Sequence, residues 1–220
     1  MARVAIIGAH GKVGQQLMRE LYDGGHDFVG VARGEEAADD IFRLGGEGVT
    51  LDLEATDAQT LAGAIQGCDA VVFTAGAGPN SGAERKRTVD YGASVLSIEA
   101  ARLAGIRRFI QISAAGVDDP ATMGDDPASQ WAAYVAAKRD ADAALRDSGL
   151  DWTILRPTRL TTAEGTGRIE LGERMRGEIP RADVAATVVA VLENPGTVGE
   201  QWELTGGSTP VTEAVAKLVA

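Results

Sequence analysis

The sequence predicts an α/β fold, a doubly wound parallel sheet with a small C-terminal segment on the substrate side. Three observations predict it. Apolar runs of strand length alternate with helix-length stretches six times along the 220 residues. Most of those runs are continuously apolar, as strands covered on both faces are. The 28 glycines are scattered over many short junctions and not gathered into one linker, which suits many tight strand–helix turns and not a disordered chain.

The elements follow in order. Arg3 to Ile7 is an apolar run ending in glycine, the first strand. Lys12 to Tyr22 carries Val13, Leu17 and Leu21 at four-residue spacing, a helix stopped by Gly24-Gly25. Asp27 to Ala32 is the second strand, and Glu35 to Leu44, with Ile41, Phe42 and Leu44, the second helix. Gly48 to Leu53 is the third strand. Thr56 to Gln66 is the third helix, with Thr56 as its N-cap. Asp69 to Thr74 is the fourth strand, followed by a helical stretch over 82–104. Arg107 to Ser113, a helix over Ser129 to Ser148 and a strand at Asp151 to Leu155 complete the alternation. Such alternation predicts a parallel sheet with right-handed crossovers. After Pro157 a polar, glycine-rich segment runs to Gly177, then a helix from about Ala182 to Leu192, a strand near Gln201 to Leu204 and a helix after Pro210. This tail is too short for its own core. Residues 1–220 are therefore expected to form one domain, with 158–220 packed on the open end of the sheet as a small cap.

Composition narrows the function classes. Lys and Arg number 21 against 32 Asp and Glu, a net charge of −11, which repels nucleic acid and anionic membrane. The single cysteine, Cys68, excludes a disulfide scaffold and points to no metal centre. No stretch reaches the length of a membrane span, and the N-terminus lacks the n-region, h-region and cleavage site of a signal peptide. A cytoplasmic protein with a small-molecule substrate is the expectation.

The chemistry is carried first by Gly8-Ala9-His10-Gly11-Lys12-Val13-Gly14, a G-x-x-G-x-x-G turn between the first strand and first helix. Gly8 allows the tight turn. Gly11 lets a pyrophosphate approach the backbone at the helix N-terminus, where free amides and the dipole favour an anion. Gly14 lets the helix pack close. At this junction the motif predicts a dinucleotide. An acid ending the second strand would bind the ribose hydroxyls of NAD; Arg33 stands there instead, and a guanidinium suits a 2′-phosphate, so NADP is expected and NAD remains open. Glu35 and Glu36 are nearby carboxylates for Arg33. Asp52 reads equally as a partner of the adenine amino group or as a helix cap.

Gly8-x-x-Gly11-x-x-Gly14, Asp52-Leu53, Thr74-Ala75-Gly76 and Tyr134-Val135-Ala136-Ala137-Lys138 together resemble the short-chain dehydrogenase/reductase superfamily. The glycine spacing, Arg156-Pro157 and the short tail resemble its atypical members: NmrA-like proteins, biliverdin reductase B-like flavin reductases and a group of bacterial NAD(P)-binding proteins. The resemblance covers essentially the whole chain and implies a Rossmann fold. It implies cofactor contacts from Gly8, His10, Gly11, Lys12, Val13, Gly14, Arg33, Asp52, Leu53, Thr74, Ala75, Gly76, Lys138 and Pro157. It makes Tyr134 the general acid or base. Lys138, four residues on along the same helix face, would hold the nicotinamide ribose and lower the tyrosine pKa from its ordinary value near ~10. The superfamily places a catalytic serine after the fifth strand. Here that segment reads Ile112-Ser113-Ala114-Ala115-Gly116, with Ser113 one or two positions before the place that members with the full triad use.

An NAD(P)-dependent oxidoreductase acting on a small carbonyl, quinone or flavin-like acceptor is the first reading. A non-catalytic NADP(H)-sensing module, as in NmrA-like proteins, is the alternative, favoured by Ala114 and Ala115. A sugar-nucleotide epimerase or dehydratase is third, disfavoured by the short tail. Elsewhere, Glu84-Arg85-Lys86-Arg87 reads as a solvated helix end, the acidic loop over 118–127 as a flap above the nicotinamide, Trp131 as pocket lining or packing, and His26 as a turn residue without an evident partner.

Overall fold

The computed structural model describes residues 1–78 and 81–218. In β1 (Arg3–Ile7), Val4 and Ile6 enter one apolar cluster while Ala5 and Ile7 enter another. Alternate side chains of a strand point to opposite faces, so a continuous apolar run requires cover on both. β2 (Asp27–Ala32), β3 (Glu47–Thr50), β4 (Ala70–Phe73), β5 (Arg108–Ile112) and β6 (Asp151–Pro157) lie parallel to β1 in the order β3-β2-β1-β4-β5-β6. Winding reverses between β1 and β4, where Ile7 pairs with Phe73. A crevice opens beyond the carboxyl ends of strands at such a reversal.

One face is covered by α1 (Lys12–Asp23) and α2 (Glu35–Arg43), through Leu17, Met18, Leu21 and Ile41. The other is covered by α3 (Ala58–Ala64), α5 (Ala93–Leu103) and α6 (Gln130–Arg146), through Leu61, Ile98, Ala101 and Leu145. Each fully buried Leu or Ile here is worth about 1.5–3 kcal/mol.

The polar segment after Pro157 is more regular than its composition suggests. β7 (Arg159–Thr161) pairs with β9 (Glu178–Pro180) as a separate parallel ribbon. β8 (Arg168–Gly172) joins the main sheet antiparallel to β10 (Glu200–Gly206), which lies parallel to β6, and β11 (Thr209–Pro210) pairs with β8 at the edge. β8 reads Arg-Ile-Glu-Leu-Gly, with only Ile169 and Leu171 on the core side. A strand buried on one face alternates where the inner strands run apolar. α7 (Arg181–Leu192) and α8 (Val211–Leu218) add Val184, Val188 and Val215 to the first cluster, and α7 packs along α1.

Other boundaries differ in instructive ways. Asp57, not Thr56, caps α3, its carboxylate accepting the Thr60 amide at 2.8 Å. The stretch over 82–104 breaks into α4 (Gly82–Arg85), a π-helical turn (Lys86–Gly92) and α5. His26 does have partners. Its Nδ1 accepts the Ala2 amide at 3.2 Å, which leaves Nε2–H to donate to Glu193 at 3.2 Å, so it clamps the N-terminus to the end of α7.

Candidate active site

A cleft of about 1740 Å³ runs along the carboxyl ends of the strands. That exceeds a typical small-ligand site of ~300–1,000 Å³ and suits a dinucleotide together with an acceptor. It starts at the glycine turn, whose three glycines serve different ends. Gly8 adopts φ +87, and a Cβ there would meet the Ala75 backbone at 2.7 Å. A Cβ on Gly14 would meet the Ala9 carbonyl oxygen at 2.4 Å. Gly8 lines the cleft as well; Gly14, contrary to expectation, does not, and is a packing residue. A Cβ on exposed, cleft-lining Gly11 would have only the Gly8 oxygen at 3.1 Å. What it would fill is the cleft. Gly11 is also the N-cap of α1, with no side-chain cap and no acid in the first turn. The first amides of a twelve-residue helix are thus left for an anion. The residues fit a dinucleotide pyrophosphate.

At one end of the cleft Arg33 is largely exposed. Its Nη1 lies 3.8 Å from Glu54, not beside Glu35 or Glu36. Glu54 accepts from Arg85 Nη2 and from the Thr88 hydroxyl, both at 2.6 Å. Those bonds hold its carboxyl below the usual range, Arg85 contributing most. Asp52 accepts the Glu54 amide at 3.1 Å and so caps the turn after β3. Leu53, Ala75, Gly76, Val13 and Lys12 also line the cleft. Thr74 spends its hydroxyl on the Ile7 and Gly8 carbonyls, fixing the turn. His10 lines the cleft and lies 3.4 Å from Asp40.

At the other end α6 presents Tyr134 and Lys138, with Pro157 at the end of β6 beside them. Lys138 is buried, its ammonium 3.2 Å from the Ile112 carbonyl and 3.6 Å from Asp90. Asp90 also accepts the Ala77 amide at 3.1 Å. The expected lowering of the tyrosine pKa is not what this arrangement produces. Burial pushes the Tyr134 phenol above its ordinary value, and Asp90 and Asp142 add to the rise. Asp90 answers the Lys138 charge before the tyrosine feels it.

Ser113 reaches the cleft, but its hydroxyl donates to Asp142 at 2.8 Å. A hydroxyl has one proton to give, so Ser113 is not the free oxyanion donor of the expected triad. Asp142 is fully buried and accepts also from Gln111 (2.7 Å) and Arg156 Nε (2.8 Å), while Arg156 Nη1 reaches Asp118 at 2.6 Å. Burial raises the Asp142 carboxyl pKa, against the pull of Arg156 and the two other donors. The loop over 118–127 is tied down by Asp118 and by Trp131, whose Nε1 donates to the Thr122 carbonyl at 2.5 Å. None of its residues lines the cleft, so it is not the expected flap.

Sequence reasoning missed Lys86 and Asp90. Lys86 is not at a solvated helix end: it is 5% exposed, donates to the Gly78 carbonyl at 2.5 Å and sits 5.2 Å from the Tyr134 ring centroid. The π-helical turn carries both residues to the cleft, a common use of such turns. Trp131 stacks on Tyr134, centroids 5.4 Å apart, at the exposed rim.

Known proteins share this fold. Residues 8–195 match the model of an NAD(P)H-binding family. The chain is 38% identical over 218 residues to a Bacillus subtilis protein named "Uncharacterized sugar epimerase YhfK", covering 98% of this chain and all of that one. The solved oxidoreductase ylbE from Lactococcus lactis superposes with a TM-score of 0.87 at 26% identity, over 99% of this chain and 96% of that one. ChuY, an anaerobilin reductase from Escherichia coli O157:H7, does so with 0.76 at 27% identity, over 94% and 98%. The chain belongs to the NAD(P)H-binding family.

Proposed function

We propose that the chain is an NADPH-dependent reductase of a small acceptor, with Tyr134 as the proton donor. The observation that carries this reading is the continuity of one cleft from the uncapped amides of α1 to Tyr134 and Lys138. The amides of Lys12 and Val13 would hold the pyrophosphate and Arg33 a 2′-phosphate. Lys138, held by Asp90 and the Ile112 carbonyl, would bind the nicotinamide ribose. The bound cofactor supplies a hydride, two electrons and a hydrogen nucleus, to the acceptor. Tyr134 gives its phenolic proton to the acceptor oxygen, and the phenolate is reprotonated from solvent. Burial and the nearby Asp90 and Asp142 hold that proton on Tyr134 at neutral pH, so the residue starts protonated, as a donor must.

The segment after Pro157 supports a small acceptor. Most of it extends the sheet or packs on α1, and only residues 157–160, 175–177 and 181 line the cleft. That leaves little protein to grip a sugar nucleotide. One observation favours the sensor reading: Ser113 is spent on Asp142.

The test is NADPH oxidation followed with quinones, flavins and aldehydes, for the wild type and Tyr134→Phe. The expected result is turnover with at least one class of acceptor. With a carbonyl acceptor, Tyr134→Phe should lower turnover by roughly 10²–10⁴-fold at unchanged cofactor affinity. With a flavin or quinone, solvent can supply the proton and the loss is small. Tight NADP(H) binding with no turnover on any acceptor would reject the reductase and leave the sensor.

A further inference from the structure

The cleft is far more basic than the molecule that contains it. In a chain of net charge −11 its lining holds eight Lys and Arg (Lys12, Arg33, Arg85, Lys86, Lys138, Arg159, Arg176, Arg181) but three Asp and Glu (Asp52, Glu54, Asp90). A dinucleotide accounts for only part of that excess. Lys12 stands at the pyrophosphate position. Arg33 and Arg85 flank Glu54, where the adenosine would lie. Lys138 is answered by Asp90, and Arg159 pairs with Glu178. What remains is Lys86, Arg176 and Arg181. Among the described residues, no carboxylate lies within ion-pair distance of any of the three.

Lys86 is the telling one. A buried ammonium without a counter-charge is costly, and among the described residues its one hydrogen bond goes to a neutral carbonyl, that of Gly78. Two of its three N–H groups remain for something else. The ammonium stands over the Tyr134 ring, beside the group that would protonate the acceptor. Trp131 packs against the same Tyr134 ring, and Leu160 and Met175 are further apolar lining of the cleft. The strap over 173–177 that carries Met175 and Arg176 is held by Glu203, which accepts the Met175 amide at 2.7 Å and the Gly116 amide at 2.6 Å. It is therefore pinned to the loop after β5 and presents Arg176 at a fixed rim.

We propose that Lys86, in a cleft that Arg176 and Arg181 also line, is the binding site for an oxyanion on the acceptor, and hence that the acceptor is an acid: a flat, largely apolar reducible group carrying a carboxylate or a phosphate. The reducible end lies against Tyr134 and Trp131, and the oxyanion takes the two N–H groups of Lys86. Charge-assisted bonds of this kind are the strong ones, and a buried ammonium is screened little by salt. This deepens the reductase reading and rests on it for the placement of the acceptor. Its test reads binding, so that a failure of hydride transfer and a failure of acid recognition are told apart.

The experiment measures binding of three naphthoquinones to the protein saturated with NADP⁺, by tryptophan fluorescence and calorimetry. One is neutral 2-methyl-1,4-naphthoquinone, one carries a carboxylate at the same position and one a methyl phosphate. At least one acidic probe should bind roughly tenfold or more tightly than the neutral one. Whichever acid wins identifies the oxyanion. Lys86→Met should abolish that preference while leaving the neutral probe and NADP⁺ affinity unchanged, and Lys86→Arg should restore part of it. Equal binding of neutral and acidic probes to the wild type overturns the proposal, whether or not the variants fold. So does a preference that survives Lys86→Met, or a loss of NADP⁺ affinity in that variant equal to the loss of probe affinity, which would give Lys86 to the cofactor.

Discussion

At the scale of single residues, protonation and charge placement decide what the cleft does. Tyr134 stays protonated because burial and two nearby carboxylates hold its proton. Reduction of a carbonyl should therefore show no falling limb from Tyr134 as pH rises toward ~10, its ordinary value. A pH profile of kcat that falls near neutrality, and loses that fall in Tyr134→Phe, would assign the opposite shift. Arg33 makes a separate prediction. Its guanidinium is largely exposed and only loosely engaged by Glu54, so a contact to a 2′-phosphate would be partly screened. Arg33→Ala should weaken NADP binding by about 1 kcal/mol, roughly fivefold, and NAD binding hardly at all. Titration calorimetry with both cofactors checks this, and a wild type that binds NAD as tightly as NADP would remove the arginine from the account.

At the scale of elements, the glycine turn separates packing from binding. A Cβ on Gly14 collides with backbone, whereas one on Gly11 projects into the cleft. Gly14→Val should lower stability by about 1–3 kcal/mol or more, seen as a drop of several degrees in Tm. Gly11→Val should melt with the wild type and lose cofactor affinity. The reverse pattern would contradict the roles given to the two glycines. The junction of β5, β6 and α6 makes the fourth prediction. Asp142, Arg156, Gln111 and Ser113 form one buried network. Removing the Asp142 carboxylate strips the acceptor from Arg156 Nε, Gln111 and Ser113 while Asp118 still pairs with Arg156, so Asp142→Ala should cost about 1–3 kcal/mol or more, measured by denaturant unfolding. A cost below ~1 kcal/mol would mean that water reaches Arg156.

How much of this was legible in the sequence varies with the physics of each element. The inner strands β1, β2, β4, β5 and β6 were legible because strands covered on both faces leave largely apolar runs, and Val4 to Ile7 is such a run. β8 was not, since Ile169 and Leu171 alternate with polar neighbours in a strand covered on one face. Its period of two was the overlooked signal. The glycine turn and the Tyr134–Lys138 pair could be read because spacing alone defines them. Lys86 and Asp90 could not: their four-residue spacing resembles any charged helix face, and only the π-helical turn carries them inward. Ser113 misled, because its partner Asp142 lies 29 residues away in sequence.

At the scale of the whole molecule, the sheet order puts the reversal between β1 and β4 under the cleft, with the glycine turn on one side and the ends of β5, β6 and α6 on the other. The β7–β9 ribbon and the start of α7 close the acceptor end. Everything proposed depends on one dinucleotide lying across that reversal. The most direct measurement is a crystal structure of the protein soaked with NADP⁺. The pyrophosphate should lie on the amides of Lys12 and Val13, the 2′-phosphate beside Arg33, and the nicotinamide against Tyr134 with its ribose on Lys138. A pyrophosphate away from the Gly11 turn, or a nicotinamide that leaves Tyr134 facing only protein, would contradict it.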